Sequence, residues 1–521
     1  MSIKNDFIKK VFKTELSKTE RLIYSLLITF IVVFLAHGFS FFNFIPQHDA
    51  LNHSISYSPN HDVSLGRFAI PFYMMIRGNM SVPLVSGVLS ALYISLTTYL
   101  ICTIFDLSKI YQLFVITASL SVNISIIESN STFQWLLDVY MLASLFSVLG
   151  SYFLLKDMKW PKYIIAALFY FLSMGLYMGE MVIGVTVLVI YVIISALRNE
   201  KKQIIKWITW GCTFCISAVA YVIFYKLSMI IFDTMPSTSY NSITNIRYVQ
   251  LNTLLLYIKD TVRSYFSHYF GTGNMFGTGV IVCNFVLTIV FLAALIIGIV
   301  SRVKVRKLSI FNMLIVIVAI SVIPILEMIM TILMQESEPR YYLNYGLSML
   351  YPVYLIVICE LIKDVNVKLS NVYKWCLVPF AVILIQMILF SNKCYTYQKL
   401  IYDRAVSIST FVNSDLNHID GYVPGETEVV IIGRFDTNTN ALMYDESYYK
   451  YPYQAFQRAS FTYTTTFVSL SRLLGYEINC FKEGGEEYEY YSDLKEVEDM
   501  PAFPLNGYIK VIGKVVVVKL C

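Results

Sequence analysis

Long apolar stretches dominate this sequence, and most are close to the length that crosses a lipid bilayer. The hydrocarbon core of a membrane is about 30 Å thick, so a spanning helix needs about 20 apolar residues. The chain has 57% hydrophobic and only 14% charged residues, whereas soluble domains average about 25% charged residues. The sequence therefore predicts an α-helical polytopic membrane protein, with the lipid bilayer and not nucleic acid as its partner.

Eleven stretches have the composition of transmembrane helices. In chain order they cover residues 22–42, 82–104, 110–127, 135–155, 162–177, 180–197, 207–232, 278–300, 309–333, 345–362 and 375–391. The fifth and sixth stretches are short and nearly continuous, because only residues 178–179 separate them.

The lysines and arginines between these stretches predict an orientation. With the N-terminus inside, the inner segments hold 21 basic residues and the outer loops hold 6. Basic residues are retained on the cytoplasmic side. The sequence therefore predicts a transmembrane domain over residues 1–391, with long outer loops at 43–81 and 233–277. Residues 392–521 are then expected outside.

The C-terminal segment 392–521 has the pattern of a small α/β domain. Residues 397–417 have helical spacing, and residues 428–433 read EVVIIG, which predicts a strand. Near the end, residues 508–512 and 514–519 predict a closing hairpin with Gly513 at its turn.

Ionisable side chains at membrane depth are costly, so each one needs a physical reason. The candidates are His37, Asp138, Glu180, Lys226, Glu327 and Glu360. On the predicted topology all but Glu360 lie toward the outer ends of their helices. They predict a polar cavity that opens to the outer face. The alternative is that each group reaches the interface or pairs with another.

The first outer loop is the most unusual polar segment. It holds His48, Asp49, His53, His61, Asp62, Gly66 and Arg67. Histidine and carboxylate ligands suit zinc or manganese, so a divalent metal site is one interpretation. A second is that Asp49, just past the first helix, is a general base. A third is a solvated polar loop.

Arg340 ends a short outer loop and directly precedes two tyrosines. A guanidinium presents a fork of donors that matches a phosphate group. Arg340 is therefore a candidate for binding a lipid phosphate, and a salt bridge to Glu336 or Glu338 is the alternative.

Several short motifs together resemble those of the polytopic bacterial glucosyltransferases of the GT-C superfamily. These enzymes modify O-antigens and related surface glycans, and include serotype-converting types. The motifs are His48-Asp49 after the first helix, Gly66-Arg67, Asp138 early in the fourth span, Gly175-Leu176-Tyr177-Met178, and Pro339-Arg340. The family often has two acids where this chain has His48 and Asp49, and glutamine where it has Met178. Near the C-terminus, Met500-Pro501 and Pro504 to Gly507 also match.

The resemblance implies a transfer reaction on the outer face. The donor would be a polyprenyl-phosphate-linked sugar, with glucose the expected sugar, and the acceptor a surface glycan. Asp49 would be the general base. Arg340 is the first candidate to hold the phosphate, and Arg67 is the second. His48, Asp138, Tyr177 and Glu180 would contact the substrates, and for Asp138 and Glu180 the alternative is that they orient Asp49. A single displacement would invert the anomeric centre. No cofactor is firmly implied, although a divalent metal is compatible with the loop.

Two other functions fit a polytopic protein with polar outer loops. A surface-polysaccharide polymerase would also place charges there, but would not need the terminal α/β domain. A flippase or transporter of lipid-linked sugars would need polar residues through both leaflets, whereas the buried charges here favour one end.

Overall fold

A computed structural model describes most of the chain. The described residues are 11–12, 14–46, 50–51, 57–200, 203–237, 251–271, 275–304, 308–334, 340–363, 375–433 and 464–520. They fall into two compact units. One unit contains the described residues within 1–42, 58–130 and 136–392, and the other contains those within 43–57, 131–135 and 393–521. The domain boundary predicted between residues 391 and 392 stays a prediction.

Helices make up most of the described structure. They are α1 (Lys18–Phe42), α2 (Pro59–Ser64), α3 (Ile70–Arg77), α4 (Pro83–Ile104), α5 (Ile110–Ser121), α6 (Ile124–Thr132), α7 (Leu137–Leu155), α8 (Pro161–Tyr177), α9 (Met181–Leu197), α10 (Gln203–Ile231), α11 (Leu251–Phe270), α12 (Thr278–Lys304), α13 (Ile310–Glu327), α14 (Ile329–Leu333), α15 (Leu350–Ile362), α16 (Leu377–Asn417), α17 (Thr464–Leu473), α18 (Glu486–Ser492) and α19 (Lys495–Glu498). Short 3-10 turns cover Gln134–Leu136, Met178–Glu180, Tyr341–Leu343 and Tyr345–Met349.

Many of these helices expose apolar side chains, as expected of helices that face lipid. Ile204, Ile208 and Ile216 of α10 are all more than half exposed. Such an apolar surface is unfavourable in water and favourable against lipid tails. A helix also satisfies its own backbone hydrogen bonds, which a segment inside the bilayer must do. By length and composition, the described residues contain nine candidate membrane spans, or ten if the bent pair α5–α6 is one span. The chain is a multi-pass membrane protein.

When the bent pair counts as one span, the only remaining difference from the eleven predicted stretches is that residues 161–197 count as one continuous candidate. Helices α8 and α9 lie within it, separated by extended backbone at Tyr177. The hydroxyl of Ser151 in α7 contacts the Tyr170 hydroxyl at 2.9 Å and the Gly184 carbonyl at 2.8 Å. In one straight helix residues 170 and 184 would lie about 21 Å apart. The chain therefore folds back between them, and α8 and α9 form a helical hairpin against α7.

The bent pair α5–α6 has a local cause. Val122 is extended and ends α5, and the side chain of Asn123 accepts a hydrogen bond from the Ile126 backbone N–H at 3.1 Å. This contact caps the start of α6, because asparagine satisfies a first-turn N–H that has no partner within the helix. The two helices meet at 42°, and α6 continues to Thr132, past the predicted span end at Ile127.

The second unit contains the small sheet predicted near the C-terminus. Its strands are β1 (Glu428–Ile432), β2 (Asn479–Cys480), β3 (Ile509–Ile512) and β4 (Val515–Lys519), in the order β2-β1-β4-β3. Strand β1 runs parallel to β2 and β4, while β3 and β4 are antiparallel. The predicted strand and closing hairpin are confirmed. Gly513 adopts a φ of 65° between β3 and β4, in the left-handed region that glycine enters without strain.

Candidate functional site

The predicted site residues fall into three groups by location. His48 and Asp49 lie outside the described residues, as do His53, Glu336, Glu338 and Pro339. One polar cluster, called the Arg67 cluster below, contains four of the predicted residues: Arg67, Tyr177, Glu180 and Arg340. Asp138 belongs to a separate group of side chains.

The Gly66-Arg67 motif forms a tight turn after α2. The Arg67 backbone N–H donates to the Asp62 carbonyl at 2.9 Å, and Gly66 has a φ of 87° that favours glycine. The turn brings the Arg67 guanidinium to 3.6 Å from the Asp62 carboxylate, which is only 1% exposed. Asp62 is a member of the site that the sequence motifs do not assign. Its spacing from Arg67 was visible in sequence, but not the turn that joins them.

Two motifs that are distant in sequence interlock at this turn. The Ala69 backbone N–H donates to the Gly175 carbonyl at 2.9 Å, and a Cβ on Gly175 would lie 2.7 Å from the Phe68 ring. Only glycine leaves that space. The contact places the Arg67 guanidinium over the Tyr177 ring, 5.0 Å from its centroid, which is a cation–π geometry. The two motifs therefore build one site.

Burial alone lowers the pKa of the Arg67 guanidinium. Its interactions with Tyr140, Tyr177, Asp62 and Tyr342 outweigh burial and raise that pKa above its ordinary value. Arg67 therefore stays positively charged throughout the physiological pH range.

Aromatic and acidic side chains surround Arg67. The rings of Tyr140 and Tyr177 are 4.3 Å apart, and both side chains are buried. Glu180, 1% exposed, accepts a hydrogen bond from the Ser144 hydroxyl at 2.7 Å and interacts electrostatically with Tyr140. Rings, hydroxyls and a carboxylate are the groups that bind a sugar by stacking and hydrogen bonding.

Met178 follows Tyr177, at the position where the resembled family has glutamine. Its side chain packs against the apolar cluster that contains Phe68, Met174 and Tyr221. Met178 therefore contributes to packing behind the site in the described structure.

Arg340 belongs to the same cluster although it lies far from Arg67 in the sequence. Its guanidinium donates to the Tyr342 hydroxyl at 3.2 Å. Tyr342 is buried and interacts electrostatically with both Arg67 and Tyr140. Tyr342 is thus hydrogen-bonded to one of the two arginines that the sequence proposed for a phosphate and lies within electrostatic range of the other. The sequence pattern did not identify Tyr342 or Tyr140, because tyrosine is abundant throughout this chain.

Asp138 has a complete set of partners of its own. Its carboxylate accepts from the Arg77 guanidinium at 2.7 Å, the Tyr73 hydroxyl at 2.7 Å and the Ser86 hydroxyl at 2.9 Å. Burial, reinforced by the negative charge of Asp138, raises the pKa of Tyr73, so Tyr73 remains a donor. Asp138 is fully buried. The Asp138 carboxylate is therefore paired with a buried cation and two hydroxyl donors, and its predicted role in binding substrate stays a prediction.

The remaining ionisable candidates have separate surroundings. His37 Nε2 lies 2.9 Å from the Ser121 carbonyl, and Glu360 accepts two hydrogen bonds from Arg198 at 2.7 Å. Lys226 is exposed on α10. Glu327 is buried and interacts electrostatically with tyrosines of α11 and α15. Of the membrane-depth candidates, only Glu180 belongs to the Arg67 cluster.

The described part of the chain contains no group of three or more His, Cys, Asp or Glu residues that could hold a metal ion. Within the loop that prompted the metal interpretation, His61 is exposed while its neighbour Asp62 is buried against Arg67. The two side chains therefore do not share a site. Chemically, the cluster combines two guanidinium groups with aromatic rings and carboxylates, and can bind an anionic group beside a hydroxylated ring.

Comparison with known proteins identifies the family. The profile of the family described as "Glucosyl transferase GtrII" matches residues 38–351, which is more than half of the chain. The matched region contains Arg67, Tyr177, Glu180 and Arg340. No curated protein and no solved structure matches the chain. The match confirms the resemblance seen in the motifs, and the chain therefore belongs to the glucosyl transferase GtrII family and is a membrane glycosyltransferase.

Proposed function

We propose that this protein transfers glucose from a polyprenyl-phosphate donor to a surface glycan on the outer face of the cytoplasmic membrane. The observation that supports this most strongly is that Arg340 donates a hydrogen bond to Tyr342, a residue that also interacts electrostatically with Arg67. Two guanidinium groups from distant motifs are suited to one anionic ligand. A lipid-linked sugar phosphate supplies that anion next to a sugar ring.

The arginines are proposed to stabilise the leaving group. When the anomeric carbon is attacked, the electron pair of its bond to the phosphate oxygen leaves with polyprenyl phosphate. Fixed positive groups that meet this developing charge lower the barrier, and one such donor typically contributes about 100- to 1000-fold in rate. Because phosphate is already a stable anion, the reaction does not need a strong general acid.

Asp49 is proposed as the general base. As the acceptor hydroxyl oxygen bonds to the anomeric carbon, its proton passes to the Asp49 carboxylate. A positioned base contributes about 100- to 10,000-fold in such reactions. A single displacement of this kind inverts the anomeric configuration. His48 precedes the base, where related enzymes often have a second acid, and is proposed to contact substrate there.

The sugar ring is proposed to bind among Tyr140, Tyr177 and Glu180. The two tyrosine rings, with centroids 4.3 Å apart, offer an aromatic surface beside Arg67. Glu180 offers a carboxylate already oriented by Ser144. For Asp138 we propose a structural role, because three donors already occupy its carboxylate.

The proposed topology has eleven spans, an inner N-terminus and an outer C-terminal domain over residues 392–521. It is supported by the excess of basic residues in the inner segments and by the hairpin of α8 and α9. If that hairpin crosses the membrane twice and α5–α6 crosses it once, the helices number eleven. The glycan and the lipid phosphate would then meet at the outer ends of the helices.

Sugar transfer by purified protein in lipid vesicles tests the proposal. Polyprenyl-phosphate glucose and a panel of surface glycans from the source cell are supplied, with and without a chelator, to wild type and Asp49→Asn. The proposal predicts transfer by wild type that survives chelation and falls at least 100-fold in Asp49→Asn. Unchanged transfer by Asp49→Asn would overturn the base assignment, and loss on chelation would establish a metal requirement.

The same vesicles separate the other two functions. Repeated transfer that lengthens the glycan by many units would indicate a polymerase. Movement of the lipid-linked sugar between leaflets without transfer to any acceptor, for several different sugars, would indicate a flippase.

A further inference from the structure

One face of α6 holds the segment that carries Arg340. The Glu128 carboxylate accepts a hydrogen bond from the Tyr342 backbone N–H at 2.7 Å, and Ser125 donates to the Asn344 carbonyl at 2.8 Å. The Ser129 hydroxyl lies 3.5 Å from the Tyr342 carbonyl. Residues 125, 128 and 129 are three and four positions apart, so they lie on one side of the helix.

Glu128 is the only ionisable member of this face, and it is 2% exposed. Burying a carboxylate among helices of a membrane protein is costly, so it implies a function or a partner. Its partners are backbone N–H groups at the start of the 3-10 turn Tyr341–Leu343, and the positive charge of Arg340 acts on it. The carboxylate therefore meets both the backbone and the charge of the same turn.

The turn is fixed from its other side as well. The side-chain amide of Asn344 donates to the Arg340 backbone carbonyl at 2.8 Å and to the Thr331 hydroxyl at 3.0 Å. The Arg340 guanidinium itself donates a hydrogen bond to the Tyr342 hydroxyl. The direction of the guanidinium thus depends on where the Tyr342 backbone sits, and Glu128 holds that backbone.

We propose that Glu128 is a positioning residue, which aims Arg340 at the donor phosphate by holding the Tyr342 backbone. This inference rests on the proposed function of Arg340. Glu128 has no contact with the reacting atoms in this proposal. Its effect on the reaction passes through Arg340, because an error of about 1 Å in a group that contacts the transition state can reduce the rate about 100-fold.

A double-mutant cycle on the full-length enzyme in vesicles tests this dependence. We expect Glu128→Ala to lower kcat/KM for polyprenyl-phosphate glucose about 100-fold, and Arg340→Ala to lower it about 100- to 1000-fold. The double variant should be no worse than Arg340→Ala alone, because Glu128 then has nothing to position. If the fold-losses in kcat/KM of the two single variants multiply in the double variant, the two residues act independently and the proposal is overturned.

The conservative variant Glu128→Gln provides a rescue test. Its amide oxygen can still accept the Tyr342 N–H, so we expect it to restore at least a tenth of wild-type kcat/KM. Activity as low as in Glu128→Ala would contradict a role through that hydrogen bond. Ser129→Ala is the matched control on the same face, since its contact is the longest of the three, and should stay within about twofold of wild type.

Amide hydrogen exchange separates failure of this inference from failure of the proposed function, because the measurement does not require the lipid-linked sugar. Loss of an anchoring hydrogen bond allows local opening. Exchange at residues 341–349 should be faster in Glu128→Ala than in wild type and unchanged in Ser129→Ala. If wild type transfers no sugar, the proposed function fails while this result still tests Glu128. Unchanged exchange in Glu128→Ala would overturn the positioning role.

Discussion

At the scale of single residues, the site depends on how each buried charge is held. Arg67 is held by Asp62 on one side and by the Tyr177 ring on the other. A lysine could not reproduce this arrangement, because only the planar guanidinium both stacks on a ring and offers paired donors. The Asp62 carboxylate offsets part of the cost of burying the Arg67 cation, and the guanidinium donors are suited to an incoming phosphate.

Asp138 gives a test of structural against substrate-binding roles. Replacing it by asparagine removes the carboxylate charge that pairs with the Arg77 guanidinium, which is 5% exposed. Removing one partner of a buried ion pair costs about 3–5 kcal/mol. We expect thermal unfolding in detergent to show a large loss of stability for Asp138→Asn. The exposed loop variant Asp157→Asn is the control and should change stability by less than about 0.5 kcal/mol.

The opposite pattern would favour the role implied by the family resemblance. If Asp138→Asn melts like wild type but has a much higher KM for the donor, Asp138 contacts the sugar.

At the scale of secondary-structure elements, small residues let the hairpin of α8 and α9 pack closely on α7. A Cβ on Gly184 would lie 2.3 Å from the Ser147 hydroxyl oxygen and 2.4 Å from the Ser147 carbonyl oxygen. At Gly150, a Cβ would lie 2.9 Å from the Tyr170 ring. Close approach at small residues is a common basis of helix association in membranes, where apolar burial gives no driving force between helices.

Gly184→Ala tests this packing. Because the obstacle is partly backbone, the neighbouring helix must shift, and we expect a loss of about 1–3 kcal/mol in stability. Thermal unfolding in detergent measures it. Gly211→Ala, at a helical position with open space around it, should be neutral or slightly stabilising. Equal effects of the two substitutions would mean that the contact between α7 and α9 does not limit stability.

The elements themselves were largely predictable, because apolar runs and alternating patterns depend on local sequence. Strand β1 and the β3–β4 hairpin were predicted within a residue or two. The contacts of the site were not predictable in this way. The meeting of Arg67 with Tyr177 depends on Phe68 packing where Gly175 has no side chain, which is a tertiary contact without a periodic signal.

Glu128 shows the same limit at a helix end. The predicted span stopped at Ile127, so Glu128 was not counted among the ionisable groups at membrane depth. Asn123 starts a second helix that continues through a polar run to Thr132. The signal was the run Glu128 to Thr132 itself, since five polar residues directly after an apolar stretch can line a buried site as well as end a span.

At the scale of the whole molecule, the topology depends on the α8–α9 hairpin. If residues 161–197 cross the membrane twice, the segments before α8 and after α9 lie on the same side. If they cross once, these segments lie on opposite sides. Every later segment, including the C-terminal domain, changes side with this choice.

Labelling of single cysteines from each side of the membrane measures this directly. Lys159→Cys and Lys206→Cys are placed, one at a time, in a cysteine-free background, at positions that are exposed in the structure. We expect both to react with an impermeant reagent from the cytoplasmic side. Reaction from opposite sides would contradict the hairpin as two spans and would reverse the predicted location of residues 392–521.

The most direct test of the account is the rate of glucose transfer from polyprenyl-phosphate glucose by wild type, Arg67→Ala and Arg340→Ala in vesicles. Because both guanidinium groups are proposed to meet the phosphate as it leaves, each substitution should lower kcat/KM about 100- to 1000-fold. Because Arg67→Ala removes the guanidinium beside the buried Asp62 carboxylate, we expect it to lower stability as well, so thermal unfolding is measured for each variant and the rates are compared per folded enzyme. Transfer by either variant at the wild-type rate would contradict the claim that the two arginines form one phosphate site.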